Sequence, residues 1–334
     1  MIQKTAMKSA AIASLFGAAL LTGAATIALP EAARADTRVT LKSATSSSSY
    51  YVMIVQIGEA LKEATGGKIQ ATIEESQGSV QNVKEAARRP GNFVFTTPPS
   101  LLKQAQAGQK PFEGETGYDK VRALFVMPFV TIHLVVRADS GVASAADLAG
   151  KDFIGGGKGT FCEGRTKTVL KLLGLEGKVN LVDVELASAD AAVKNRKVAG
   201  YATCSSHPTP QVQELATTTA IRIISFTPDQ LSTIVAQDAS SGPVTIKAGT
   251  YKGVDQDVQT VGVPVGAYAT TNMDDETAYQ ITKAFWSKRA EMAKTNPWWN
   301  GINPDMVAQL GSKLHPGAAR YYKEAGIKLP DSMM

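Results

Sequence analysis

Histidine and cysteine are scarce in this chain, with three and two residues among 334. His133, His207 and His315 are widely spaced, and no cluster of Cys, His and carboxylates has metal-ligand spacing. A metal enzyme is therefore not expected, and no cofactor motif suggests any other bound group. Charge of one sign is not concentrated either: 35 basic residues face 30 acidic ones, with no basic stripe and no run of like charges, so nucleic acid is not an expected partner. A G-x-S-x-G elbow is absent. Ser and His come together only in CSSHPTP, residues 204 to 210, where Pro208 after His207 suits a turn better than a proton shuttle, which leaves little basis for a secreted hydrolase.

Long apolar runs are missing after the first 30 residues. The one that exists follows Lys4 and Lys8, extends from Ala10 to Leu29 and precedes Ala33-Arg34-Ala35. Basic start, apolar stretch and small-x-small site make up a secretory signal, predicting export and a mature chain from Asp36. Removing residues 1–35 moves the formal net charge from +5 to +3. The remaining residues, about 300, suffice for two lobes of ordinary domain size. Both cysteines, Cys162 and Cys204, lie in that part. In an oxidising compartment such a pair is more often bonded than free, and two buried thiols are the alternative.

What the chain does have is an alternation of strand and helix patterns. Residues 153 to 174, FIGGGKGTFCEGRTKTVLKLLG, read as a short strand, a glycine turn and an amphipathic helix. Thr160 and Glu163 have capping-box spacing, which starts the helix near Phe161, and Gly174 ends it. Lys158 is followed by Gly159, so this is not a Walker A loop, and the three-glycine dinucleotide spacing is also absent. An anion would suit a turn whose free amides meet the positive end of a helix dipole. A strand-to-helix turn without a ligand uses the same residues.

Upstream, RVTLKS, IQATIEE and FVFT are three strands, each leading into neutral hydrogen-bonding residues ahead of a helix. The turns offer Ser43, Thr45, Ser46, Tyr50 and Tyr51, then Gln77, Ser79 (a candidate helix cap) and Asn82, then Thr96 and Thr97. In an open parallel sheet ligands bind beyond the carboxyl ends of the strands, so these residues are the candidate ligand-binding set. The second half repeats the plan. DFI leads to Gly157, Lys158, Gly159 and Thr160; LVDVEL leads to a helix capped at Ser188; AGYAT, with Thr203, leads to Ser205. VRALFVM and TIHLVVR are expected as two runs separated by Pro128, the second sheet as a separate parallel one, and residues 239 to 257 as an irregular return segment. Arg137, Lys158 and Arg165 are the candidate countercharges for a carboxylate, with Lys158 ranked first. The pair Trp298 and Trp299 is expected to pack late helices onto the first lobe.

The sequence resembles a solute-binding protein of the TAXI family, the extracytoplasmic receptors of one class of TRAP transporters. The resemblance is colinear from Val39 to Leu329 and rests on SATSSSSYY, QGSVQN, PFEG with RAL, HLVVRADSGVASAADLAGK, GGGKGT, AGTYKGVDQDVQTVGVP and LHPGAARYYKEAG. It implies an α/β, two-lobed periplasmic-binding-protein fold of the venus-flytrap type. Lobe one would hold residues 36–128 and 258–334, and lobe two residues 129–257. The implied function is capture of a small organic acid, glutamate or another carboxylate, for a membrane-embedded TRAP permease, by a monomer and without catalysis. The same fold would serve a receptor for a sensor kinase or an ABC permease. Three departures fall on the expected pocket wall: Ser46 to Ser49 replace glycines of the first turn, the third turn reads FVFTTPP, and TFCEGR follows the glycine loop.

Overall fold

The computed structural model describes residues 37–334, and the predicted export signal with its cleavage site lies outside the described residues. Parallel pairing dominates at both ends of the sheet. β1 (Thr37–Lys42) lies between β2 (Ile69–Glu74) and β3 (Phe93–Thr97), with α1 (Ser49–Ala64), α2 (Ser79–Ala86) and α3 (Pro99–Gln106) following the three strands in turn. At the far end β5 (Asp152–Ile154) pairs with β6 (Asn180–Leu181) and β7 (Gly200–Ser205). The helices of that half are α4 (Phe161–Leu172), α5 (Ala189–Lys194), α6 (Pro210–Thr218) and α7 (Pro228–Gln237).

The two ends are not separate sheets, as the sequence pattern suggested. β4 (Val121–Arg137) and β10 (Val258–Thr270) are long antiparallel strands that run through both halves and join them in the order β2-β1-β3-β10-β4-β7-β5-β6. Pro128 does not split β4 into two runs. The ladder instead shifts register, so that Pro128 and Phe129 face the single residue Pro264. A proline cannot donate to a ladder, and a bulge is where a sheet accommodates one. β8 (Ile221–Ile223) pairs with β4, and β9 (Gly242–Ile246) pairs with β10 within the stretch expected to be irregular. The alternation in β9 is weak because it is an edge strand whose pairing comes from the long neighbour. LVDVEL keeps only its first residue in a strand, and Ser188 stands before α5 without a side-chain cap bond.

The apolar cores change over at the same irregularity. Val130 and Val263 belong to a cluster with Leu41, Phe95, Phe125 and Phe285, whereas Ile132 and Val261 belong to a second cluster with Phe153, Leu170 and Phe226. A third cluster around Tyr201, Val212 and Tyr251 lies wholly in the second half. α8 (Asp275–Thr295) and α9 (Pro316–Glu324) return to the first half, where Trp299 is fully buried and its indole donates to Gln56 Oε1 at 2.9 Å. The tryptophan pair is therefore core rather than ligand wall. No helix among the described residues is long and apolar enough to cross a membrane.

Candidate functional site

Five helices begin at one cavity. Ser48 caps α1, Gly78 precedes α2, Pro98 precedes α3, Thr160 caps α4, and Gln211 is the second residue of α6; all five line a cavity of about 90 Å³. By this measure a water needs about 10–15 Å³, so the space holds on the order of six to nine non-hydrogen atoms. The positive dipole ends make such a convergence favourable to an anion or to the oxygen end of a dipole. Of the residues expected from the sequence, Ser43, Thr45, Tyr50, Gln77, Ser79, Thr96, Thr160 and Thr203 line this cavity.

Local chemistry explains the placement. Asn82, fully buried, donates through Nδ2 to the carbonyls of Ser43 at 2.6 Å and Thr96 at 3.0 Å. It ties the ends of β1 and β3 together and does not reach the cavity. Ser43 and Thr96 hydroxyls then meet at 2.5 Å in the wall. Ser79 does not cap α2: Gly78 holds the cap position, and the Gly78 amide donates to Ser76 Oγ at 3.0 Å. Beside Ser43, the buried Lys42 ammonium pairs with Glu85 at 2.9 Å and with Glu74 at 3.6 Å. The hydrogen bond from the Arg89 guanidinium holds the Glu74 carboxyl below its usual range.

Several expected residues have other work. Ser46 is exposed, with its amide on Glu75 Oε1 at 2.7 Å. Tyr51 packs against the first core, and Thr97 is buried with its hydroxyl turned to the Pro98 carbonyl. Ser205 Oγ bonds Ser49 Oγ at 2.7 Å, Ser48 Oγ at 3.0 Å and the Ser49 amide at 3.2 Å, so this hydroxyl joins β7 to the start of α1. Gly157 packs near Leu186 and accepts from the Thr160 hydroxyl at 2.9 Å. The Gly159 amide donates to Glu163 Oε2 at 2.6 Å. The helix's own carboxylate thus occupies the place of an anion at that turn, a capping box displaced by one residue.

None of the three expected countercharges lines the cavity. Lys158 pairs with Asp183 at 2.6 Å, both side chains well exposed. Arg137 pairs with Asp139 at 2.8 Å. Arg165 is buried and bonds Asp238 and Ser241, bracing α4 against the segment after α7. Burial pushes the Asp238 carboxyl up, but hydrogen bonds from Ser240, Ser241 and Arg165 outweigh it and hold the group at about 2. The charged residue among those lining the cavity is Glu185, which is exposed and which the sequence pattern did not single out. Gln211 was also missed, whereas Ser47, Ser48 and Phe161 belong to the departures expected on the pocket wall and Gly156 to the glycine turn. Gly156 carries the one local signal for its role: at φ +112° a Cβ there would lie 2.7 Å from Cys162 Cβ and Sγ. Cys162 and Cys204 form a disulfide with Cα atoms 5.4 Å apart, tying the first turn of α4 to β7 in the cavity wall.

Ser206 and His207 do not form a catalytic pair. Ser206 Oγ donates to the Phe129 carbonyl at 2.7 Å, and His207 Nδ1 is buried without a partner. Near this turn His133 Nδ1 meets the Thr131 carbonyl at 3.1 Å, and Nε2 meets Tyr251 OH at 3.0 Å, which accepts from the Thr209 amide. Burial, with the nearby His207, holds the His133 imidazole down to about 3. The unfolded chain binds this proton below about pH 6.5 and the folded chain only near pH 3, so the stabilisation is full above pH 6.5 and lost as pH falls toward 3. Stability from urea unfolding is expected to drop by about 2 kcal/mol from this group between pH 7 and pH 5. Equal stability at both values would contradict a neutral buried His133.

One mixed α/β sheet with helices on its faces, bridged by two long strands and holding a cavity at its helix starts, is the fold of periplasmic solute-binding proteins. Two of the solved structures that share it illustrate the likeness. The periplasmic binding protein BugD is 13% identical with a TM-score of 0.55, covering 88% of this chain and 99% of BugD. MatC of Rhodopseudomonas palustris, solved with bound malate, is 12% identical with a TM-score of 0.55, covering 86% and 97%. The chain belongs to the NMT1-like family, which it matches over residues 41–326.

Proposed function

We propose that this protein is an exported receptor that captures a small organic acid in the cavity between two lobes. The lobes are residues 36–128 with 258–334, and residues 129–257. The observation that carries the reading is the meeting of helix starts from both halves around one small cavity with several hydroxyl groups in its wall. The changeover of the apolar cores beside Pro128 and Pro264 supports a division there. A carboxylate is received by amides, hydroxyls and helix dipoles rather than by a cation. Glu185 favours a ligand that brings an ammonium or hydroxyl donor at its other end and disfavours a second carboxylate beside it. Glutamate, with ten non-hydrogen atoms and a carboxylate on the carbon that carries its ammonium, suits this cavity less well than a smaller monocarboxylate with an amino or hydroxyl group. The colinear motifs from Val39 to Leu329 support a TAXI-type receptor serving a TRAP permease.

A thermal-shift panel on refolded protein starting at Asp36 tests the reading. Ligand at a thousand times its dissociation constant adds about 4 kcal/mol, so one amino or hydroxy acid should raise the melting temperature by several degrees. Lys158→Ala should give the same shift as wild type, because Lys158 faces Asp183. Shifts from neutral sugars alone would overturn the carboxylate reading.

A further inference from the structure

The cavity has a neighbour. A groove of about 710 Å³ begins where the cavity ends, and each wall passes from one to the other within a residue or two. Ser79 lines the cavity and Val80 the groove; Pro98 lines the cavity and Ser100 the groove; on β10, Val265 lies under the cavity and Val263 under the groove. Thr160 and Phe161 line both. Phe161 is the bulky one of the two. It stands at the first position of α4, in the second half, yet packs against the apolar core of the first half. Its backbone is held on one side by the Thr160 cap and on the other by the Cys162 disulfide, so the side chain is the movable part.

We infer that Phe161 is the gate between the groove and the ligand cavity, and that a solute passes through the groove and by this ring on its way in and out. The inference rests on the cavity being the ligand chamber, but its test needs no ligand. A ring of this size closes a passage of water-sized groups while it sits against the opposite core, and it opens when that contact breaks. The cost of breaking one apolar contact across the cleft is modest, so the gate sets rates of exchange and acts as a latch on the closed state. Truncating the ring removes both the plug and the latch.

The test introduces a thiol in the cavity by Ser43→Cys, with the native disulfide left intact, and follows its modification by methyl methanethiosulfonate by mass. In a Phe161→Ala background the modification rate should rise at least tenfold, and in a Phe161→Leu background by a smaller factor. A thiol at the exposed Gln109→Cys site should react at an unchanged rate. Leu170→Ala, which loosens α4 on its other face, should leave the cavity rate within twofold. Equal rates with and without the Phe161 ring, or the same acceleration from Leu170→Ala, would overturn the gate. A confirmed gate together with no solute binding in any panel would instead remove the receptor reading.

Discussion

Replacing Arg165 with methionine is expected to lower the melting temperature by about 5 °C while a bound solute keeps its affinity. The guanidinium is 8% exposed and bonds Asp238 and Ser241, and its removal leaves a carboxylate at 18% exposure without its cation. Breaking a buried ion pair by removing one partner costs roughly 3–5 kcal/mol, and the residual exposure of Asp238 places this case near 3 kcal/mol. The loss is sensitive to pH in a defined direction. Asp238 is held at about 2, below its usual value of 3.8, so its contribution is full above pH 3.8 and disappears as pH falls toward 2. Wild type and Arg165→Met should therefore converge in stability near pH 2. A variant that keeps its melting temperature but no longer binds an acid would return Arg165 to the role of countercharge.

Loss of the disulfide should have an effect of similar size. Cys162 and Cys204 close a loop with a sequence separation of 42. Cross-links of that span stabilise by about 2–4 kcal/mol, largely by restricting the unfolded chain. The double replacement Cys162→Ser with Cys204→Ser should lower the guanidinium midpoint accordingly, and reductant should lower wild type to the same midpoint without affecting the double variant. Solute affinity should fall as well. The bridge lies in the cavity wall, and without it the first turn of α4, with Thr160 and Phe161, is held to β7 only by packing. A wild type whose midpoint ignores reductant would contradict the bridge.

Local features were the legible part of this sequence. Thr160, three residues before Glu163, identifies the start of α4 because capping chemistry acts within one turn. Thr227 with Gln230 likewise opens α7. The hydroxyl turns after β1, β2 and β3 bring Ser43, Ser79 and Thr96 to one cavity, since helices that follow parallel strands start on the same edge. Long-range pairing was not legible. Ser205 meets Ser48 and Ser49 across 156 to 157 residues, and nothing near any of the three marks it as a brace rather than a ligand contact. Lys158 was misplaced for a related reason: Asp183, 25 residues on, turns its ammonium to solvent. Glu185 and Gln211 sit at the ends of segments with weak periodicity, and only the three-dimensional path of the second half brings them to the cavity. Pro128 reads as a break because a proline in a central strand argues against a strand, and the opposing Pro264 that makes the bulge lies 136 residues away in the chain.

The most direct measurement is a crystal structure of the protein with the acid that gives the largest thermal shift. The account predicts density in the cavity, with the carboxylate at the helix starts near Ser48, Ser79 and Thr160, the other polar end toward Glu185, and the Phe161 ring closed over it. Density for the acid in any other place, with the cavity holding only water, would contradict it.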